Sequence, residues 1–104
     1  MIDEGNIAEA GRRISAAAPA ARVILFGSHA RNEADEQSDL DLLVIEPEVE
    51  DAASESVRLH RTLRSLNIPI DIVVIDAALA RRRAAVPGTM VERALREGRV
   101  LVDA

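Results

Sequence analysis

RVILFGSHARNEADEQSDLDLLVI, residues 22–45, is the stretch on which the fold turns. Arg22 to Phe26 (RVILF) is a short β-branched and aliphatic run, the pattern of a buried strand. Gly27-Ser28 breaks it. Residues 29–38 (HARNEADEQS) are polar and carry no core periodicity, so they form a loop, with an opening helical turn as one option. Asp39 to Ile45 (DLDLLVI) is a second strand, ended by Glu46-Pro47. Two successive strands without a full helix between them argue for a mixed sheet. The fold class is therefore α+β, a small mixed β-sheet packed against helices, rather than a doubly wound α/β fold.

The flanks agree with this reading. Residues 3–18 place Ile7, Ala10, Ile14 and Ala17/Ala18 at three-to-four spacing, with acids early and Arg late, which predicts a helix stopped by Pro19. Downstream, residues 49–66 predict a second long helix with Val57, Leu59, Leu63 and Leu66 on its apolar side. Residues 69–75 (PIDIVVI) predict a third strand, and 77–85 a helix interrupted by Pro87-Gly88. Residues 89–97 predict a last helix, with Thr89 as N-cap, Glu92 as its capping-box partner and Gly98 as the C′ residue. Arg99 to Val102 is a candidate fourth strand.

The 104 residues, 48% hydrophobic and 30% charged, suit one domain, residues 1–104, with no room for a second substrate domain. Phe26 is the only aromatic residue, so aliphatic side chains must build the core. The apolar content excludes a disordered chain. Cys is absent, which excludes a disulfide scaffold. No apolar run nears the ~20 residues that span a bilayer, and the acidic start MIDEGN has no signal-peptide pattern. A cytoplasmic protein without membrane contact is the expectation. The net charge is −5, from 18 acidic and 13 basic residues, every basic one an Arg. Such a chain is a poor generic ligand for nucleic acid, whose non-specific affinity comes from phosphate neutralisation, so no direct nucleic-acid binding is expected.

The candidate chemistry lies in the same central stretch. Asp39 and Asp41, two residues apart on a strand, point to one face with Cα atoms ~6.6–6.8 Å apart. Two carboxylates there repel unless a cation sits between them, and Mg²⁺ is commonly held by one or two carboxylates plus substrate phosphates. Asp71 interrupts another apolar run. If the third strand pairs beside the second, Asp71 joins Asp39 and Asp41, and three convergent carboxylates suit a two-metal site for in-line displacement at phosphorus. Gly27 lets the backbone approach a phosphate closely, the Ser28 hydroxyl can donate to phosphate oxygen, and Arg31 is one turn away. Taken singly, each has a plainer reading: Asp39 as a cap or turn residue, Asp71 as an edge-strand charge, Gly27-Ser28 as an ordinary turn, Arg31 as a solvated loop residue. Their combination in this order is much harder to explain as structure alone.

Residues 27–44 (GSHARNEADEQSDLDLLV) resemble the signature of the DNA polymerase β-like nucleotidyltransferase superfamily. Within it they match best the minimal nucleotidyltransferase (MNT) group, whose pattern is GSxARG, a short loop, then SDxDLxV. Gly27 and Ser28 match the phosphate-binding pair, Ala30 and Arg31 the following Ala-Arg, and Ser38, Asp39 and Asp41 the Ser-Asp-x-Asp metal motif. Asp71 is the one suitable position for the third carboxylate. Asn32 replaces the usual Gly, and Asn tolerates left-handed backbone better than most residues.

The resemblance implies the polymerase β-like fold and attack of a hydroxyl on the α-phosphate of a nucleoside triphosphate, ATP in this group. It implies two Mg²⁺ ions on Asp39 and Asp41, with Asp71 on the nucleophile side. Gly27, Ser28, Ser38 and Arg31 then belong to the nucleotide site. Short MNT proteins resemble the antitoxins of HEPN–MNT toxin–antitoxin pairs, which implies AMP transfer to a tyrosine of a partner HEPN ribonuclease toxin. With no Tyr in this chain, a tyrosine acceptor must lie on a partner. Self-modification on Ser15, Ser28, Ser54, Ser56, Ser65, Thr62 or Thr89 stays open. The alternatives are a non-catalytic subunit that covers its partner, against which the three acids argue, and a small-molecule nucleotidyltransferase, against which the short length argues. His29 can touch the triphosphate or be an exposed loop residue. His60 reads as surface, and Arg81-Arg82-Arg83 as a solvated helical face or a contact for an acidic partner or RNA.

Overall fold

The computed structural model describes residues 2–104; Met1, the first residue of the expected domain and of its acidic start, lies outside them. The order is α1 (Glu4–Ala17), β1 (Arg22–Phe26), β2 (Leu40–Glu46), α2 (Ala52–Leu63) with a 3₁₀ turn at Arg64–Leu66, β3 (Ile70–Asp76), α3 (Ala77–Ala84), α4 (Met90–Glu97) and β4 (Arg99–Val102). The strands form one mixed sheet in the order β3-β2-β1-β4. β1 runs antiparallel to β2 and to β4, while β2 and β3 are parallel. The loop after β1 returns the chain beside itself, whereas β2 and β3 need the α2 crossover.

Alternation along the strands divides the core between two faces. Val23, Leu25, Leu40, Leu42, Val44, Ile72 and Val74 pack with Ile7, Ile14, Leu59 and Leu63 of α1 and α2. Ile24, Leu43, Ile45 and Ile75 pack with Ala80, Val91 and Ala94 of α3 and α4. Odd-numbered residues of β2 and β3 therefore face α3 and α4, and Asp41 and Asp71 belong to that set.

Several ends differ from the sequence reading for local reasons. Asp3 caps α1 and forms a reciprocal capping box with Asn6. α2 starts at Ala52 rather than 49 because the Asp51 carboxylate accepts the Ala53 and Ser54 N–H groups, and its last turn tightens to 3₁₀. Val57, expected on the apolar side of α2, is 52% exposed. Asp76 extends β3 by one residue and caps α3 through the Leu79 N–H. Thr89 Oγ1 accepts the Glu92 N–H as expected, but the Glu92 carboxylate reaches the Gly88 N–H instead of closing a box on Thr89. Gly98 is no left-handed C′ residue: its φ is −79°, and Gly is required because a Cβ would run into the Ala94 carbonyl of α4 and stand 2.7 Å from the Leu25 carbonyl.

Candidate active site

The site forms where β1 ends and β2 and β3 begin. Gly27 leaves β1 with φ +74°, a conformation costly for residues with a Cβ. Ala30 and Arg31 N–H groups donate to the Gly27 carbonyl at 3.1 and 3.2 Å, and the Glu33 N–H to the Ser28 carbonyl at 2.9 Å. This is a single helical turn. It closes at Asn32, which adopts φ +58°, so the residue in place of the usual Gly takes the left-handed geometry expected of it. The Ser28 and His29 N–H groups at the head of the turn have no backbone partner among the described residues, which leaves them for an anion.

The chain re-enters the sheet through a second fixed turn. Asp35 accepts the Gln37 N–H and the Ser38 hydroxyl, and Ser38 Oγ accepts the Asp35 N–H at 3.0 Å. Ser38 thus holds the loop just ahead of Asp39, its hydroxyl engaged with Asp35. Leu40 N–H then donates to the Pro69 carbonyl at 2.9 Å, joining the starts of β2 and β3.

Register brings the acids together. Asp41 lies opposite Phe26 on one side and opposite Asp71 on the other. Asp39, expected as the first residue of the strand, lies in the loop just ahead of β2, which starts at Leu40, and its charge still acts on Asp41. A Cβ on Gly27 would run into the Asp41 carboxylate, with Cγ at 3.2 Å; the missing side chain is what lets Asp41 sit against the turn. Burial pushes the Asp41 carboxyl above its ordinary range, and the charges of Asp71 and then Asp39 push it further, while His29 and Arg31 oppose the shift. Asp39 and Asp71 are exposed.

Among the described residues no three carboxylate or imidazole groups converge into a closed metal cage. Asp41 and Asp71 are paired in the sheet and Asp39 lies just ahead of β2, so the three acids gather at one end of the sheet as an open set. The donor set still fits Mg²⁺, a hard cation that takes one or two carboxylates and completes its shell with water and substrate phosphate.

Two features add to the sequence reading, which left His29 open between a phosphate contact and an exposed loop residue. His29 is half-buried, its Nε2 buried without a partner, and near enough to Asp41 to lower that acid. It belongs to the site rather than to an exposed loop. A cleft of about 180 Å³ also opens beside Gly27, lined by Phe26, Arg31, Met90, Arg93 and Glu97. Its far wall is α4, which no motif ties to residues 27–44. Arg31 stands in this cleft, its Nε 3.1 Å from Glu33 and its Nη1 4.0 Å from Glu97. His60 is exposed, with Nε2 2.7 Å from the Ile70 carbonyl, and Arg81, Arg82 and Arg83 lie exposed on α3.

The nucleotidyltransferase domain family matches residues 7–101, nearly the whole chain. The chain belongs to that family. This nucleotidyltransferase shares its fold with solved relatives of low identity. A Sulfolobus solfataricus protein assigned as a nucleotidyltransferase is 18% identical, with a TM-score of 0.63 over 92% of this chain and 76% of its own. A chain of a toxin–antitoxin complex with AMP-PNP is 20% identical, with a TM-score of 0.64 over 98% of this chain and 74% of its own. A chain of the tri-AMPylated Shewanella oneidensis HEPN toxin in complex with MNT antitoxin is 17% identical, with a TM-score of 0.62 over 97% and 72%. No curated protein matches the chain. No helix of the described residues is long and apolar enough to cross a membrane.

Proposed function

We propose that this nucleotidyltransferase, as a single domain spanning residues 1–104, transfers AMP from ATP to a tyrosine hydroxyl of a partner HEPN ribonuclease toxin and so acts as its antitoxin in the cytoplasm. The observation that carries the chemistry is the pairing of Asp41 with Asp71 in the sheet, with Asp39 just ahead of β2 and Gly27 packed against Asp41. The antitoxin role is supported by the folds shared with a toxin–antitoxin complex and with the tri-AMPylated HEPN toxin–MNT complex. The absence of Tyr from this chain assigns a tyrosine acceptor to the partner.

Asp39 and Asp41 would hold two Mg²⁺ ions, with Asp71 on the acceptor side. Bound Mg²⁺ supplies positive charge at the α-phosphate and at the departing oxygen. The turn at Gly27-Ser28 offers N–H groups and a hydroxyl to the β- and γ-phosphates, with Arg31 beside them. Ser38 serves the nucleotide site through the turn it fixes ahead of Asp39. The acceptor oxygen attacks the α-phosphorus, the bond to the β-phosphate oxygen breaks, and pyrophosphate leaves. Asp71 takes the hydroxyl proton.

The test is co-expression with the product of the neighbouring gene, followed by intact mass of both chains, with Asp39→Ala, Asp41→Ala as the paired control. A nucleotide-monophosphate increment on the partner, lost with the control, is the expected result, and its mass identifies the base. A stable complex with no increment on either chain would overturn transfer to the partner.

A further inference from the structure

We infer that Arg93 on α4 is a second triphosphate-binding cation, which with Arg31 holds the β- and γ-phosphates that leave as pyrophosphate. The inference rests on the nucleotidyl-transfer reading and extends it to a residue far along the chain from the GSxAR and Ser-Asp-x-Asp motifs. Four observations carry it.

First, Arg93 and Arg31 line the same cleft, and Gly27, which abuts Asp41, forms its floor. A triphosphate with its α-phosphate at Asp39 and Asp41 and its tail on the Gly27 turn runs past this opening. Second, Arg93 has no ion pair and no side-chain hydrogen bond among the described residues, whereas Arg96 on the same helix is tied to Glu92 and Glu97. The one acid of the cleft, Glu97, lies 4.0 Å from Arg31, and Glu92, which feels the Arg93 charge, is held by Arg96, so no acid grips the Arg93 guanidinium. Third, the chain carries a net charge of −5 and sets three carboxylates at this end of the sheet. Those acids repel a triphosphate, and the two guanidinium groups offset that repulsion beside the turn. Fourth, the planar fork of Arg matches phosphate oxygens and stays charged at any working pH, which suits a leaving group that gains charge as the bond to the α-phosphate breaks.

Calorimetric titration of the full chain with ATP, inorganic pyrophosphate and AMP, all with Mg²⁺, tests the assignment. Arg93→Ala should weaken ATP and pyrophosphate roughly tenfold to a hundredfold, the range for losing a charged hydrogen-bonding partner, and leave AMP unchanged. Arg93→Lys should recover part of the loss. Arg81→Ala, which removes an exposed Arg of α3 outside the cleft, should bind as wild type. An Arg93→Ala variant that binds ATP as well as wild type does would overturn this inference alone. Equal losses for AMP and ATP would also overturn it, by making the cleft a nucleoside pocket. Wild type that binds none of the three probes would sink the nucleotidyl-transfer reading and this inference with it.

Discussion

Glu46 lies at the end of β2 remote from the candidate site, on the face that meets α2. Its carboxyl is pushed up to about 7 from an ordinary 4.5, first by burial and then by hydrogen bonding and repulsion from Glu55. Glu55 is held down at about 2 by Arg58, then by Glu46. Arg58 grips Glu55 through Nε and Nη2 at 2.7 and 2.8 Å, and its Nη1 reaches the Ala17 carbonyl at 3.0 Å. Glu46 thus holds its proton well above the ordinary carboxylate range, while Glu55 stays ionised against Arg58. A carboxyl raised in the folded state stabilises fully below its unfolded value and loses that contribution as pH rises through the folded value. The window for Glu46 is thus about pH 4.5 to 7. A difference of this size would amount to about 3 kcal/mol for a fully buried group. Water reaches part of this one, so about 1 kcal/mol is the realistic loss at pH 8. Glu46→Gln keeps an N–H for Glu55 and carries no charge. Its Tm should exceed wild type by roughly 4–8 °C at pH 8 for about 1 kcal/mol in a domain of this size, and equal it at pH 4.5. Thermal unfolding followed by circular dichroism at both pH values measures this. A Tm difference that is the same at both, or a less stable variant at pH 8, would refute the raised Glu46 carboxyl.

Three further outcomes follow from the site. Asp41→Asn should abolish transfer while raising Tm in divalent-free buffer, because it removes a charge that burial and two neighbouring acids disfavour; a lower Tm would show that Asp41 is held by attractive contacts instead. Gly27→Ala should cost about 2 kcal/mol from its left-handed backbone and should also displace the Asp41 carboxylate, so stability and transfer fall together; an active, equally stable variant would mean that the turn is not fixed. Asn32→Gly should be neutral in thermal unfolding and Asn32→Val should cost about 1–2 kcal/mol, since φ is +58° there; equal effects would place Asn32 outside the left-handed region.

Much of the fold was legible because its signals are local. Val-Ile-Leu runs bounded by Gly and Pro mark strands, and the polar stretch 29–38 is too lacking in apolar periodicity for a core helix. Element ends were less so. Asp51 and Asp76 are ordinary acids in the sequence, and they act as caps only once the backbone turns beneath them. Val57 fits the α2 pattern by spacing, yet it lies off the buried stripe formed by Leu59 and Leu63. At Gly98 the sequence suggests a left-handed stop, whereas the need for Gly arises from the crowding of the Ala94 carbonyl of α4 and the Leu25 carbonyl of β1.

The sequence by itself determined the strand–loop–strand unit, the mixed sheet, the close spacing of Asp39 and Asp41 at the start of the second strand, and the Gly27-Ser28 turn. Period-two alternation and backbone freedom at Gly act between neighbours in the chain. Tertiary structure decided which residues meet from afar: the parallel register that sets Asp71 against Asp41, the partial burial of His29, and the α4 wall that carries Arg93 to the Gly27 turn. Those placements depend on how two apolar faces of one sheet are covered by helices distant in the chain. Packing of that kind leaves no fixed spacing in the sequence to read.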